Sequence, residues 1–171
     1  SVTVVVNTNS IAPTGATTSV DPICDGNSTT LSVTGGTLGT GADWNWYTGS
    51  CGGALEGTGS SIAVSPSTTT TYYVRAEGVC NTTTCVSVTV TVDAVPTADA
   101  GSGGSTCGLA FTFGASPSIG TGAWTQVGVP PSVAVYSPNA NSPTATVTVT
   151  AYGTYFFRWT EVNASCSDFD D

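Results

Sequence analysis

The chain has 171 residues, of which only 8% are charged, and it contains no histidine, no methionine and only two basic side chains, Arg75 and Arg158. Eleven carboxylates oppose them, so the net charge is −9. This balance argues against nucleic acid and against an anionic membrane surface as partners, because both require clustered lysine and arginine. No apolar run approaches the length of a membrane span, and the length allows two small domains with separate cores.

Runs in which apolar and polar residues alternate recur along the whole chain, which is the period-two pattern of β-strands. Clusters of Gly, Pro, Asn and Ser separate these runs, and no window shows apolar residues at helical spacing. Many short strands without helices between them predict an all-β protein of antiparallel β-sandwiches. In chain order, the runs are marked by Leu31 and Val33, Trp44 and Trp46, Ile62 and Val64, Tyr72 and Val74, the segment 86–92, and the segment 145–149.

A change of composition near Ala94–Pro96 predicts a domain boundary, with one domain over residues 21–94 and a second over residues 95–171. Both halves show the same loose order: a cysteine before a strand, a strand with tryptophan, a strand with tyrosine, and another cysteine. The two series are Cys24, Trp46, Tyr72 and Cys80, and Cys107, Trp124, Tyr155 and Cys166.

The beginning of the chain nearly repeats the last strand of the first domain, since SVTVVV at residues 1–6 resembles SVTVTV at residues 87–92. We therefore predict that residues 1–6 are the last strand of a preceding or neighbouring domain and that residues 7–20 are a linker. The second domain is expected to lack its own final strand, because the chain stops at SDFDD. The predicted assembly strand consists of Ser1, Val2, Thr3, Val4, Val5 and Val6.

Joining Asp171 to Ser1 would supply the second domain with a final strand. The chain is then either one period of a longer covalent repeat or a subunit that donates residues 1–6 to the open sheet edge of a neighbour. A third reading is a fragment trimmed at arbitrary points. An unpaired sheet edge favours one of the first two readings, because native proteins usually close such edges.

Several strings resemble known repeats of very large proteins. ICDGNSTTLSVTGG, WNWYTGSCGG and TTTTYYVRAEGVCNTTTCVSVTVTV resemble the immunoglobulin-like repeats of secreted and cell-surface proteins of Bacteroidota. PTADAG, STCGLAFTF, GTGAWT and YGTYFFRWTEVNASCSD resemble a related PKD-like repeat of the same proteins. The resemblance covers about residues 20–171. It implies export, display outside the cell, and service as tandem spacers in adhesins or gliding-type filaments, with copies or adjacent repeats as partners.

The six cysteines predict disulfides rather than a zinc site, because their number is even and neither histidine nor a CxxC spacing is present. Disulfides place the chain in an oxidising compartment, outside the cell or on its surface. Analogy between the halves suggests Cys24–Cys80 and Cys51–Cys85. Strand geometry favours Cys24–Cys51 and Cys80–Cys85. Cys107–Cys166 follows if the second domain is self-contained, and bridges between neighbouring domains are a further option.

Catalysis is not expected, because a nucleophile needs an activating base and both histidine and lysine are absent. No cofactor is predicted apart from calcium, which prefers converging carboxylate and carbonyl oxygens. The calcium candidates are Asp168, Asp170, Asp171, Asp93 and Asp99. Solvated surface acids are the more ordinary interpretation of the same residues.

Carbohydrate binding is the rival function, with aromatic rings stacking on sugars. The candidate rings are Trp44, Tyr47, Tyr73 and Phe156. By strand parity, Trp46 and Tyr72 should face the core. By the same parity, one face of a later strand should carry Tyr155, Phe157 and Trp159, and the other face Phe156 and Arg158.

Overall fold

The computed structural model describes every residue from Ser1 to Asp171 and consists of fifteen β-strands without a helix. No helix that could cross a membrane is therefore present. The strands are β1 (Gly15–Thr18), β2 (Ile23–Cys24), β3 (Thr29–Thr34), β4 (Asp43–Thr48), β5 (Ala54–Thr58), β6 (Ser61–Val64), β7 (Thr70–Glu77), β8 (Val86–Val90), β9 (Val92–Asp93), β10 (Ala110–Thr112), β11 (Thr121–Val127), β12 (Val135–Ser137), β13 (Thr146–Thr148), β14 (Phe156–Asn163) and β15 (Cys166–Asp170).

The chain divides into two compact units, Ser1–Asp93 and Ala94–Asp171. In the first unit, one antiparallel sheet has the strand order β5-β4-β7-β8 and another has the order β1-β3-β6. A short parallel pair, β2 with β9, completes the unit. The core between the sheets is formed by Ile23, Leu31, Trp44, Trp46, Val64, Tyr72, Val74, Ala76 and Val90.

The N-terminal part of the first unit departs from the sequence prediction. We predicted a linker over residues 7–20, but Gly15–Thr18 forms β1 and pairs antiparallel with residues 31–34 of β3. Ile11 also bridges to Thr37. The linker prediction fails because this segment, although rich in Thr and Gly, supplies an edge strand whose Ala16 packs against the core.

The second unit is a two-sheet sandwich with the strand orders β11-β14-β15 and β10-β13-β12. Its core contains stacked aromatic rings: Phe113 lies 3.9 Å from Trp124 between ring centroids, and Trp124 lies 5.2 Å from Trp159. The buried residues of this core are Ala100, Phe113, Ala115, Trp124, Ala134, Ala145, Val147 and Trp159.

The C-terminal strand of the second unit is present, so the prediction that this domain lacks its final strand is wrong. Cys166–Asp170 forms β15 and pairs antiparallel with β14, as β8 pairs with β7 in the first unit. The sequence CSDFDD did not suggest a strand because its apolar content is low. Its aspartates on one face instead make side-chain hydrogen bonds to the backbone of a neighbouring segment, as described below.

The predicted all-β sandwich is confirmed, and the alternation of side chains places most residues as expected. Trp46 and Tyr72 are buried in the first core. On β14, Trp159 is buried and Phe157 packs against the second core, whereas Phe156 is exposed on the other face. The parity of a strand therefore locates its core face reliably here.

Candidate functional site

The segment Ser1–Val6 is the most exposed apolar stretch of the chain. It forms no strand, and the exposed fractions of Val2, Val4, Val5 and Val6 are 93%, 78%, 75% and 86%. Regular contacts begin at Thr8, whose backbone N–H donates to the hydroxyl of Thr40 at 3.0 Å. Valine and threonine favour extended backbone, so this segment offers a ready-made strand without a partner in the structure.

A cleft of about 570 Å³ opens on one side of the second unit. Its walls are the glycine- and serine-rich loop 101–108, strand β10, and the segment 151–157 that leads into β14. Seven aromatic side chains contribute to the lining: Phe111, Phe113, Trp124, Tyr152, Tyr155, Phe156 and Phe157. Tyr152 is 77% exposed and Phe156 is 63% exposed, so the rim presents apolar rings to solvent.

The structure separates the predicted carbohydrate-binding aromatics from one another. Phe156 lines the cleft, but Trp44 is buried in the core of the first unit and cannot stack on a ligand. Tyr47 is also buried, which contradicts its proposed role, whereas Tyr73 on β7 is partly exposed. The prediction that Trp44 binds sugar is wrong because Trp44 lies two residues before Trp46 on the same strand. Its side chain therefore points to the same face, which is the core face.

Tyr47 is held in a polar cluster on the outer face of the first sheet. Its hydroxyl donates a short hydrogen bond to Glu77, and Arg75 Nε donates to Glu77 Oε1 at 2.7 Å. The Arg75 guanidinium lies 5.2 Å from the centre of the Tyr47 ring. The hydrogen bond from Tyr47, supported by that from Arg75, lowers the pKa of Glu77 in spite of burial. This cluster ties β4 to β7 through hydrogen bonds between side chains.

The calcium candidates do not converge on one point, and no group of three carboxylate, histidine or cysteine side chains could hold a metal ion. Asp168 accepts from the backbone N–H of Ala98 at 3.0 Å, and Asp170 accepts from that of Ala100 at 2.9 Å. Asp99 accepts from the N–H of Gly101, two residues along the chain. Asp93 ends β9 and lies in the parallel pair with β2.

Asp171 has a different partner, because it forms a two-pronged ion pair with Arg158. The Nε···Oδ1 and Nη2···Oδ2 distances are 2.6 Å and 2.8 Å. This hydrogen-bonded cation lowers the pKa of the Asp171 carboxyl. With each candidate carboxylate engaged separately or placed apart, the calcium site predicted from sequence is not assembled.

Glu161 is a buried carboxylate that the sequence interpretation missed. Its side chain is fully enclosed, and it accepts hydrogen bonds from the backbone N–H and hydroxyl of Ser118 and from the Trp159 indole at 2.9 Å. Burial alone would raise its pKa, but these hydrogen bonds together outweigh burial, so the pKa is lowered. The available signal was its position two residues after Trp159, on the inward face of β14.

The cysteines only partly follow the predicted pairing. Cys51 and Cys85 form a disulfide with a Cα–Cα distance of 5.9 Å, which is the pairing suggested by analogy between the halves. Strand geometry had favoured Cys24–Cys51 and Cys80–Cys85, and both pairings are wrong. Cys80 and Cys107 are free, exposed thiols, so Cys24–Cys80 and Cys107–Cys166 are also absent. Cys24 and Cys166 are not free thiols.

The physical reason for the Cys51–Cys85 bond lies in the turn that follows β4. This turn folds back over the outer face of the sheet, where a Cβ on Gly52 would come within 2.8 Å of the Arg75 guanidinium. Arg75 is the residue that follows Val74, the partner of Val86 at the start of β8. The turn therefore places Cys51 close to the start of β8, which Cys85 directly precedes. An argument from the ends of the strands alone does not predict this path of the turn.

No curated protein matches the chain. Among solved structures, the chain is similar to the full ectodomain (Ig1–Ig3) of mouse nectin-like molecule 4, with 12% identity and a TM-score of 0.38. That match covers 95% of this chain, which spans 64% of the ectodomain. Residues 11–93 match the family model described as Ig-like domain CHU_C associated. The chain is thus an all-β protein of antiparallel sandwiches, and its first unit is similar to an immunoglobulin-like family.

Proposed function

We propose that the chain is a structural repeat unit of an extracellular stalk, adhesin or filament, in which successive copies or adjacent repeats join through the segment Ser1–Val6. The observation that carries this proposal is the exposure of four valines in a segment that has no partner strand. Assembly proceeds either along one covalent chain of tandem repeats or between separate subunits. In both versions the segment pairs with a sheet edge outside its own unit.

The energetics favour a partner for this segment. Burying a valine side chain stabilises an assembly by about 1.5–3 kcal/mol relative to leaving it in water. An extended segment also satisfies its backbone N–H and C=O groups when it adds to a sheet edge. These gains are available only when a partner covers the valines, and they then offset the cost of ordering the six residues.

The remaining features support a passive extracellular role rather than catalysis. The Cys51–Cys85 disulfide fits an oxidising compartment. The most enclosed carboxylate, Glu161, uses its acceptor positions on Ser118 and Trp159, so it is not available as a base. Immunoglobulin-like sandwiches supply rigid spacing, and the similarity of residues 11–93 to an Ig-like family supports the same use here.

Sedimentation velocity of the purified chain over a wide concentration range tests this proposal. We expect concentration-dependent oligomers that disappear in the variant Val4→Asp, because a carboxylate cannot enter a strand-packed interface unpaired. The matched control is Val129→Asp, since Val129 is fully exposed in a loop of the second unit. The proposal would be contradicted by a chain that stays monomeric at all concentrations. It would also be contradicted if Val129→Asp removed the oligomers as completely as Val4→Asp.

A second candidate is carbohydrate binding at the cleft of the second unit. The exposed rings of Tyr152 and Phe156 favour it, because flat apolar rings are suitable surfaces for sugars. Trp124 also lines the cleft, so its fluorescence reports on occupancy. Titration with a panel of oligosaccharides should produce a saturable change that Tyr152→Ala abolishes, and an unchanged signal across the panel would exclude this candidate.

A further inference from the structure

We infer that the cleft beside β10 is the acceptor for the segment Ser1–Val6 of a second copy of the chain, which adds as a new strand to the outer edge of β10. This inference rests on the proposed assembly through Ser1–Val6 and names the surface that receives it. The acceptor is thus not the position next to β14 expected from sequence, because β15 already pairs with β14 there.

The first unit shows how the corresponding edge is closed when a strand is available. Strand β1 pairs with β3 from Gly15↔Thr34 to Thr18↔Leu31. The pairing continues beyond β1, because the backbone N–H of Ser19 donates to the carbonyl of Thr30 at 2.9 Å. The outer edge of β3 is therefore covered along nearly its whole length.

The second unit covers only part of the equivalent edge. The backbone N–H of Ser116 donates to the carbonyl of Asp99 at 2.9 Å, and Gly101 lies directly against the backbone of Gly114. The chain then leaves the edge and forms the loop 101–108. Strand β10 pairs with β13 alone, so it is an edge strand of the sheet β10-β13-β12.

The hydrogen-bonding pattern identifies which backbone groups are left on that edge. Phe113 N–H donates to Ala145 and the Leu109 carbonyl accepts from Val149, so these two residues of the β10 chain direct their bonding groups towards β13. Because successive residues of an antiparallel strand alternate in direction, the N–H and C=O groups of Ala110 and Thr112 point away from β13. They are the groups that an added strand would bond.

The cleft lies along this edge and offers apolar side chains to the added strand. Phe111 of β10 and Phe157 of β14 line it, and Tyr152 stands exposed at its rim. The loop residue Gly104 packs close to the Phe111 ring, where a Cβ would come within 3.1 Å. Glycine at this position lets the loop approach the Phe111 ring more closely than a larger residue would.

The segment Ser1–Val6 matches the cleft in chemistry and in length. It carries no charged side chain, and the one carboxylate in the lining, Asp171, is already paired with Arg158. Six extended residues span about 20 Å, enough to follow β10 and the adjoining loop. With period-two alternation, Val2, Val4 and Val6 lie on one face of the strand and can enter the cleft together.

Cysteine cross-linking tests the inference with the free thiol that the chain already provides. Cys107 is exposed, and its neighbours Thr106 and Gly108 line the cleft. In a Cys80→Ser background, the variant V4C should form a disulfide with Cys107 of another copy in a glutathione redox buffer. Non-reducing denaturing gels should then show dimers and larger multiples, and peptide mass spectrometry should identify the link between positions 4 and 107.

A matched variant and a change at the cleft rim sharpen the test. V129C in the same background places a fully exposed thiol outside the segment and should yield several-fold less linkage to Cys107. Tyr152→Ala, added to V4C, should lower the yield several-fold because it removes an apolar side chain from the rim. Val133→Ala, an exposed valine that does not line the cleft, should leave the yield unchanged.

The outcomes separate this inference from the proposed function. If Val4→Asp abolishes oligomers but V4C never links to Cys107, assembly stands and the β10 acceptor is wrong. If the link forms within one chain and the mass remains that of a monomer, a second copy is not the occupant. If an oligosaccharide binds the cleft saturably and no link forms in its absence, the cleft is a sugar site and the inference is overturned.

Discussion

The indole nitrogen of Trp159 donates a 2.9 Å hydrogen bond to Oε1 of Glu161, two residues further along the same strand. Both side chains are buried on the inward face of β14. Ser118, which lies 43 residues before Glu161 in the sequence, also donates to the carboxylate from its backbone N–H and from its hydroxyl. A charge inside an otherwise aromatic core is stable only because each of these donors is in place.

Replacing Glu161 by Gln should destabilise the second unit by about 1–3 kcal/mol, since the new amide group would face donors that need an acceptor. Chemical denaturation followed by tryptophan fluorescence measures the loss. Glu56→Gln is the control, because Glu56 is exposed on β5 and its neutralisation should change the free energy of unfolding little. Equal effects of the two substitutions would mean that the enclosed carboxylate contributes nothing specific.

The same carboxylate should make stability depend on pH. Its pKa is lowered in the folded protein, so the stabilisation that it provides is fully present above its unfolded pKa of about 4.3 and is lost as the pH falls through the folded pKa. We expect the stability deficit of Glu161→Gln to be constant between about pH 5 and pH 7 and to shrink below about pH 4. Denaturation curves of both proteins at each pH give the difference in their free energies of unfolding. Contributions that the two proteins share, such as that of Glu77, cancel in this difference.

Gly122 on β11 allows the Trp159 ring to lie flat against the neighbouring strand. A Cβ at this position would overlap the indole, whereas a Cβ on Gly114 would meet nothing within 4 Å. Gly122→Ala should therefore cost about 1–3 kcal/mol through overpacking, and Gly114→Ala should be close to neutral. Differential scanning calorimetry of the two variants distinguishes them, and similar melting temperatures would show that the Trp159 pocket relaxes freely.

Strand parity was sufficient to predict the core position of Trp46 and to place Trp159 on the same face as Phe157, because side chains alternate between the two faces of any strand. Residues whose roles depend on the path of a distant loop were not predictable in this way. Glu161 is stabilised by Ser118, and nothing in the local pattern around either residue indicates that they meet. The sequence could mark Glu161 as inward-facing but could not supply its donors.

The N-terminal region shows the same limit. The likeness of residues 1–6 to residues 87–92 identified a strand-forming segment, and its exposed valines agree with a segment that lacks a partner. A missing strand was expected at the C-terminus, yet β15 is formed there, and β10 is an edge strand with backbone groups that have no partner strand. The unpaired length of the β10 edge depends on where loop 101–108 leaves the sheet. The path of a loop cannot be predicted from sequence periodicity, because loops have none.

The Cys51–Cys85 disulfide should be a main source of stability in the first unit. It joins residues 34 positions apart, and the loss of conformational entropy in the unfolded chain corresponds to about 4 kcal/mol for a loop of this size. The double variant Cys51→Ala/Cys85→Ala should lower the free energy of unfolding by up to that amount in urea denaturation. Cys80→Ser is the control, because Cys80 is an exposed free thiol whose replacement removes no bond. A double variant as stable as this control would show that the fold-back of the turn after β4 is held by Arg75 and Glu77 without the covalent link.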